Sequence, residues 1–202
     1  PLFHVDRCSA PVRSDASLIY HHSTEADADG NLWIPVHMRP QKAVYAHDFW
    51  EDGLARLTAD GDLVEARSLI DVFMRNGHRA MLFGAGAYDD DPLHINDIQP
   101  VLADGPYWKR GDLFLSLRRI STILLYRPST DRIVWQKQGP WLGQHDVDIL
   151  DDHRIAVFDN RAYQQGFGPQ VDEASETVIY DFATGMVTAP LRDAFRRETV
   201  ET

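Results

Sequence analysis

Short runs of alternating apolar and polar residues, each closed by a turn rich in Asp and Gly, repeat through most of this chain, and such alternation predicts half-buried antiparallel strands. Three of these runs begin with histidine. His22 opens HSTEADADGNLWIPVH and His145 opens HDVDILDDHRIAVFDN, and the two align without a gap as a histidine, a short run, a DG or DD turn, and an apolar strand. His94 opens HINDIQPVLADGPYWKRGDLFLSLR, the same plan with a longer turn. A second hairpin follows each: GLARLTADGDLVEAR, STILLYRPSTDRIVWQK and ETVIYDFATGMVTAP. Four short strands per unit under a common leading residue predict an all-β fold, a β-propeller with blades over about residues 16–67, 94–137 and 145–190. Closed rings take about four to eight blades. Residues 1–202 are therefore expected to form one partial propeller domain, roughly half of a six-bladed ring, with the other blades outside these residues.

One segment departs from the strand pattern. In DLVEARSLIDVFMRNG, Leu69, Ile70, Val72, Phe73 and Met74 form a compact amphipathic stretch ending at Gly77, which predicts a short helical insertion over about residues 66–76. RAMLFGAGAYDDDP is expected to be a loop leading to His94, with Asp89, Asp90 and Asp91 in a turn. The DADG run at Asp27–Gly30 lacks the later ligands of a calcium loop and reads as a turn too.

Hairpin geometry turns the repeat into a site. The end of a second strand returns beside the start of the first, and counting back through the aligned turns pairs His22 with His37, His94 with Arg118 and His145 with Asn160. Innermost propeller strands line a central channel, so these six side chains are expected at one of its mouths. A one-residue slip exchanges Arg118 with Arg119, or His22 with His21; the pairing with His94 favours Arg118. Trp141, Tyr107 and Trp108 are candidates to face an aryl ring at that mouth, with Trp141 equally suited to the core, where Trp33 and Trp135 are expected.

Composition narrows the classes. The formal charge of −11 argues against nucleic acid as a partner, because phosphate neutralisation needs a basic face. No run reaches the ~18 apolar residues of a membrane-spanning helix. The single cysteine, Cys8, excludes an internal disulfide and a cysteine metal cluster.

DPLHINDIQPV, then GDLFLSLRRISTILLYRPSTDRIVWQ, GPWLGQHDVDILDDHRIAVFDN and SETVIYDFATG together resemble the bacterial arylsulfotransferase (ASST-type) family. The likeness covers most of the chain and is best from about Asp91 to Gly185. It implies a six-bladed propeller with its active site in the central channel, and transfer of a sulfuryl group from an aryl sulfate to a phenol through a sulfated histidine, without a nucleotide sulfate donor. Carried over, the histidine of QHD is His145, that of DPLHIN is His94, the arginine of LSLR is Arg118 and the first leading histidine is His22. No cofactor or metal is implied. The expected partners are a small aryl sulfate and a phenol, with a homo-oligomer or larger complex left open. The resemblance implies a periplasmic or other extracytoplasmic location, with no targeting segment in these residues.

The chemistry suits those side chains. A neutral imidazole is a competent nucleophile near neutral pH, which fits His145. The planar fork of Arg118 matches sulfuryl oxygens. His94 and His22 can donate to the same oxygens or to the departing phenolate, while His37, Asn160 and Trp141 are expected to contact substrate. Asp97, Asp146 and Asp148 place negative charge close by. Two other classes compete: a non-catalytic propeller that binds or assembles within a larger complex, and a metal-dependent hydrolase using the three histidines as ligands.

Overall fold

Two apolar runs, LFLSL and TILLY, lack any alternation because their strands are buried on both faces. The computed structural model describes residues 1–39, 42–165, 168–172 and 174–195. Its strands in chain order are β1 (Leu2–Val5), β2 (Pro11–Asp15), β3 (Ile19–Tyr20), β4 (Glu25–Ala26), β5 (Leu32–His37), β6 (Asp52–Leu57), β7 (Leu63–Ser68), β8 (Ile95–Pro100), β9 (Leu113–Leu117), β10 (Thr122–Arg127), β11 (Arg132–Gln138), β12 (His145–Ile149), β13 (Arg154–Asp159), β14 (Ala162–Gln165), β15 (Gly168–Val171), β16 (Glu176–Asp181) and β17 (Val187–Thr188). Short helices are α1 (Leu69–Arg75), α2 (Arg79–Phe83) and α3 (Arg192–Phe195). The fold is mostly β, in antiparallel sheets. The first sheet runs β3-β5-β6-β7 with β4 also on β5, the second β8-β9-β10-β11, and the third β12-β13-β16-β17, beside the hairpins β1–β2 and β14–β15.

The second sheet is packed between the other two. On one face Leu113, Leu115 and Leu117 of β9 and Leu124 and Tyr126 of β10 meet Leu54 of β6 and Leu69, Ile70, Val72 and Phe73 of α1. On the other, Phe114, Ile123 and Leu125 meet Trp141, Val147, Ile155 and Val157 of the third sheet and its approach. Each such side chain contributes about 1.5–3 kcal/mol of burial, so a strand apolar at nearly every position is stabilised from both sides. β8 in turn lies against β4 and β5 on one side and β12 on the other. The strands that follow the three leading histidines are thereby neighbours.

The helical segment is shorter than the pattern predicts. Ala66, Arg67 and Ser68 pair with Ala55, Leu54 and Gly53 in the ladder, so β7 continues to Ser68, whose hydroxyl then caps α1 by accepting from the Asp71 N–H at 3.3 Å. Four of the five expected core positions of α1 are buried, and Met74 is exposed. The expected loop after it contains α2, which buries Leu82. Asp131, in the turn between β10 and β11, ties α1 to the second sheet by accepting from Arg75 Nε at 2.5 Å and from the Tyr126 hydroxyl at 2.7 Å. The DADG segment is the β4–β5 turn, where Asp27 accepts from the Asp29 and Asn31 N–H groups, both at 2.9 Å. Among the described residues, no helix is long and apolar enough to cross a membrane.

Candidate functional site

His94 stands immediately before β8, His145 opens β12, and His22 lies in the gap between β3 and β4. His22 and His94 both hold the left-handed backbone conformation, at φ +55° and +51°, which costs an L-residue on the order of 1 kcal/mol or more and concentrates at functional positions. Their rings gather. The His22 centroid is 5.5 Å from that of His94 and 6.0 Å from that of His145.

Arg118 joins this group through the hairpin. Its N–H donates to the His94 carbonyl at 3.0 Å, and its guanidinium is close enough to His145 and His22 to disfavour protonation of both. Arg119 points elsewhere, donating from Nε to Asp89 at 2.7 Å. The pairing of His94 with Arg118 thus follows the count along the hairpin. The other two counts do not: His145 lies opposite Phe158, two residues from Asn160, of which an irregularity at Asp146, with φ +61°, accounts for one, and His37 lies opposite Ile19.

Asn160 nevertheless reaches His145. Its Nδ2 is 2.5 Å from His145 Nδ1 and donates to the Gly143 carbonyl at 3.1 Å, so Nε2 is the ring nitrogen left for a ligand. Gly143 holds φ +60°, and a Cβ there would stand 2.5 Å from the Ala162 carbonyl oxygen. Only glycine permits that approach. Burial, reinforced by Arg118, His22 and His94, lowers the His145 pKa to about 4, which keeps its imidazole neutral at neutral pH. Burial and His94 likewise lower that of His22.

Three supporting groups escaped the sequence reading. Asp91, assigned to a turn, pairs through Oδ2 with Nδ1 of His94; although burial opposes it, this bond and the proximity of His94 hold the Asp91 carboxyl below its ordinary range. The signal was an Asp three residues before a histidine. Asn96, buried in β8, donates to the Gln144 carbonyl at 2.8 Å, and Gln144 donates from Nε2 to the Ser116 hydroxyl at 3.2 Å and the Thr122 carbonyl at 3.3 Å. These buried amides lock the histidine-led strands of the second and third sheets together, and nothing in the pattern distinguishes them from other polar residues.

The remaining candidates lie outside the trio. His37 stacks on His21 at 4.3 Å and lies tilted against Trp50 at 4.5 Å, with Nδ1 3.2 Å from Asp52 Oδ1. His21 Nδ1 is 2.7 Å from His22 Nδ1. Trp141 is 1% exposed and belongs to the core between the second and third sheets, and Trp33 and Trp108 are also buried. Beside Arg118 a cavity of about 230 Å³ is lined by Arg119, Ser121, Leu142, Gly143, Ala162 and Tyr163. Asp97 is buried in β8 and accepts from the Val147 N–H at 3.0 Å. Its burial, with Asp146 and Glu25 nearby, raises its pKa to about 7; burial and Asp148 raise that of Asp146. The negative charge expected next to the site is correspondingly weakened.

Three imidazoles, one of them held against a carboxylate, and one guanidinium therefore lie close together. Such a set can hold an oxyanion, supply a neutral nucleophilic nitrogen and exchange a proton. Residues 4–202 match the family model described as Arylsulfotransferase (ASST). No curated protein matches the chain.

Proposed function

The chain belongs to the arylsulfotransferase (ASST) family, and from that premise we propose that it transfers a sulfuryl group from an aryl sulfate to a phenol through His145. The observation that carries this reading is the meeting of His22, His94 and His145 beside Arg118. In the tautomer with the proton on Nδ1, directed to the Gly143 carbonyl, His145 presents a lone pair on Nε2, and the Asn160 amide donates to Gly143 alone. That nitrogen attacks sulfur, the bond from sulfur to the aryl oxygen breaks, and the phenolate takes a proton from His94. Arg118 and His22 hold the equatorial oxygens, where charge grows in the transition state. In the second half an acceptor phenol gives its proton to His94 and attacks sulfur, and the N–S bond breaks. No nucleotide takes part.

The cavity beside Arg118 accepts the aryl group. At about 230 Å³ it is smaller than the roughly 300–1,000 Å³ pockets that take drug-sized ligands, which suits a single ring lying against Leu142 and Tyr163 in place of Trp141. The three sheets are read as consecutive propeller blades, with further blades needed to close a ring. Family membership supports an extracytoplasmic setting.

The test is incubation with a chromogenic aryl sulfate, with and without an added phenol, and peptide mass mapping after donor alone. Turnover accelerated by the phenol is expected, with the added sulfuryl group on the peptide containing His145 and several orders of magnitude lost in His145→Asn. A label elsewhere, or undiminished turnover in that variant, removes His145 from the mechanism.

A further inference from the structure

Beside His22, and apart from the proposed sulfuryl site, three side chains at the first sheet converge, each with one buried polar atom that lacks a hydrogen bond. His21 follows β3, His37 ends β5 and Asp52 opens β6 directly opposite His37. One nitrogen from each histidine and one carboxylate oxygen all lie within 4.8 Å of one another. The Asp52 side chain is 0% exposed. Its Oδ2 accepts from the Ile95 N–H at 3.3 Å, whereas Oδ1 has His37 Nδ1 as its polar neighbour, 3.2 Å away; these two atoms and His21 Nε2 are buried without a well-formed hydrogen bond. Buried polar atoms left unpaired are costly, and three of them directed at one point call for a common partner.

We propose that His21, His37 and Asp52 bind a divalent transition-metal ion such as Zn²⁺. Two imidazoles and a carboxylate with a fourth position open is a donor set that zinc accepts. Bonds of about 2.0–2.2 Å in a tetrahedral site separate ligand atoms by roughly 3.3–3.6 Å, so atoms that lie within 4.8 Å of one another need close by at most about 1.5 Å, within the reach of side-chain rotation. The other grouping of metal-ligating residues, Asp151, Asp152 and His153, is a surface turn whose oxygens are already taken by the His153 and Arg154 N–H groups, the His153 ring and the Arg154 side chain.

The site has a consequence for His22. A metal on His21 Nε2 fixes the ring proton on Nδ1, which donates to His22 Nδ1 across 2.7 Å; His22 then keeps its own proton on Nε2 as a donor. His21 is thus a positioning residue for His22. This effect rests on the sulfuryl-transfer reading, and metal binding itself does not.

The experiment strips the full chain with a chelator and titrates it with Zn²⁺ by calorimetry and with Co²⁺ by visible absorption. One equivalent is expected, with the visible bands of low-coordinate Co²⁺, and zinc raises the melting temperature. Asp52→Asn should weaken binding by more than the roughly 10–100-fold typical of losing an outer-shell partner, and His153→Asn should leave it intact. If Asp52→Asn fails to fold, His21→Gln serves as the second variant, and zinc should no longer raise its melting temperature. Absence of a bound equivalent overturns the assignment, as does binding lost in His153→Asn but retained in Asp52→Asn and His21→Gln.

Discussion

Replacing Asp91 by asparagine isolates the proton that His94 is proposed to deliver. The carboxylate faces His94 Nδ1, with side-chain exposures of 33% for His94 and 24% for Asp91, and an amide there keeps the shape while removing the charge. Hydrogen bonds to charged groups contribute about 1.5–3 kcal/mol. Partial exposure screens this pair, so the lower part of that range, about 1.5–2 kcal/mol, applies. At about 1.4 kcal/mol per factor of ten, kcat/KM should fall roughly 10- to 30-fold for donors whose phenolate needs a proton to leave. For 4-nitrophenyl sulfate, whose phenolate departs unaided, the loss should be at most a few-fold. The assay is kcat/KM for a series of aryl sulfates of rising leaving-group basicity, with wild type and Asp91→Asn compared at each. The variant's rates should fall more steeply along the series. An equal loss at every leaving group, or none, would refute proton delivery by the Asp91–His94 pair and leave Asp91 a role in holding the loop before β8.

Arg118→Lys keeps the charge and loses the fork; kcat/KM should drop by roughly 100-fold and inhibition by inorganic sulfate should weaken, whereas the same loss in Arg119→Lys but not in Arg118→Lys would reassign the clamp. Asp97, raised to about 7 by burial, gives a pH-dependent stability difference. Its folded pKa lies above the ordinary 3.8, so its contribution is fully present below that value and is lost as pH rises to about 7. Asp97→Asn should therefore gain stability relative to wild type between pH 4 and pH 7 in urea unfolding, and a pH-independent difference contradicts the burial argument.

The alternation of the histidine-led runs and their Asp-Gly turns was enough to read antiparallel β structure, the helix around Leu69–Phe73 and the approach of His94 to Arg118, because each depends on a local period or one short hairpin. The continuous apolar runs of β9 and β10 were equally informative, since only a strand covered on both faces carries leucine or phenylalanine at nearly every position. The rest of the site was decided by irregularities within hairpins and turns and by packing between sheets. A bulge at Asp146 accounts for one of the two residues between Asn160 and the actual partner of His145, Phe158, and leaves the Asn160 side chain within reach, while His37 paired with Ile19 and turned to Asp52. Trp141, two residues before Gly143, went into the core. Asp91 became the partner of His94 through a left-handed turn, and Asn96 joined Gln144 across two sheets. A strand's sequence determines which residues share a face, but bulges, interrupted inner strands and the distance between sheets are settled by how large side chains pack across the interface. Those contacts join residues tens of positions apart, and no periodicity along one strand encodes them.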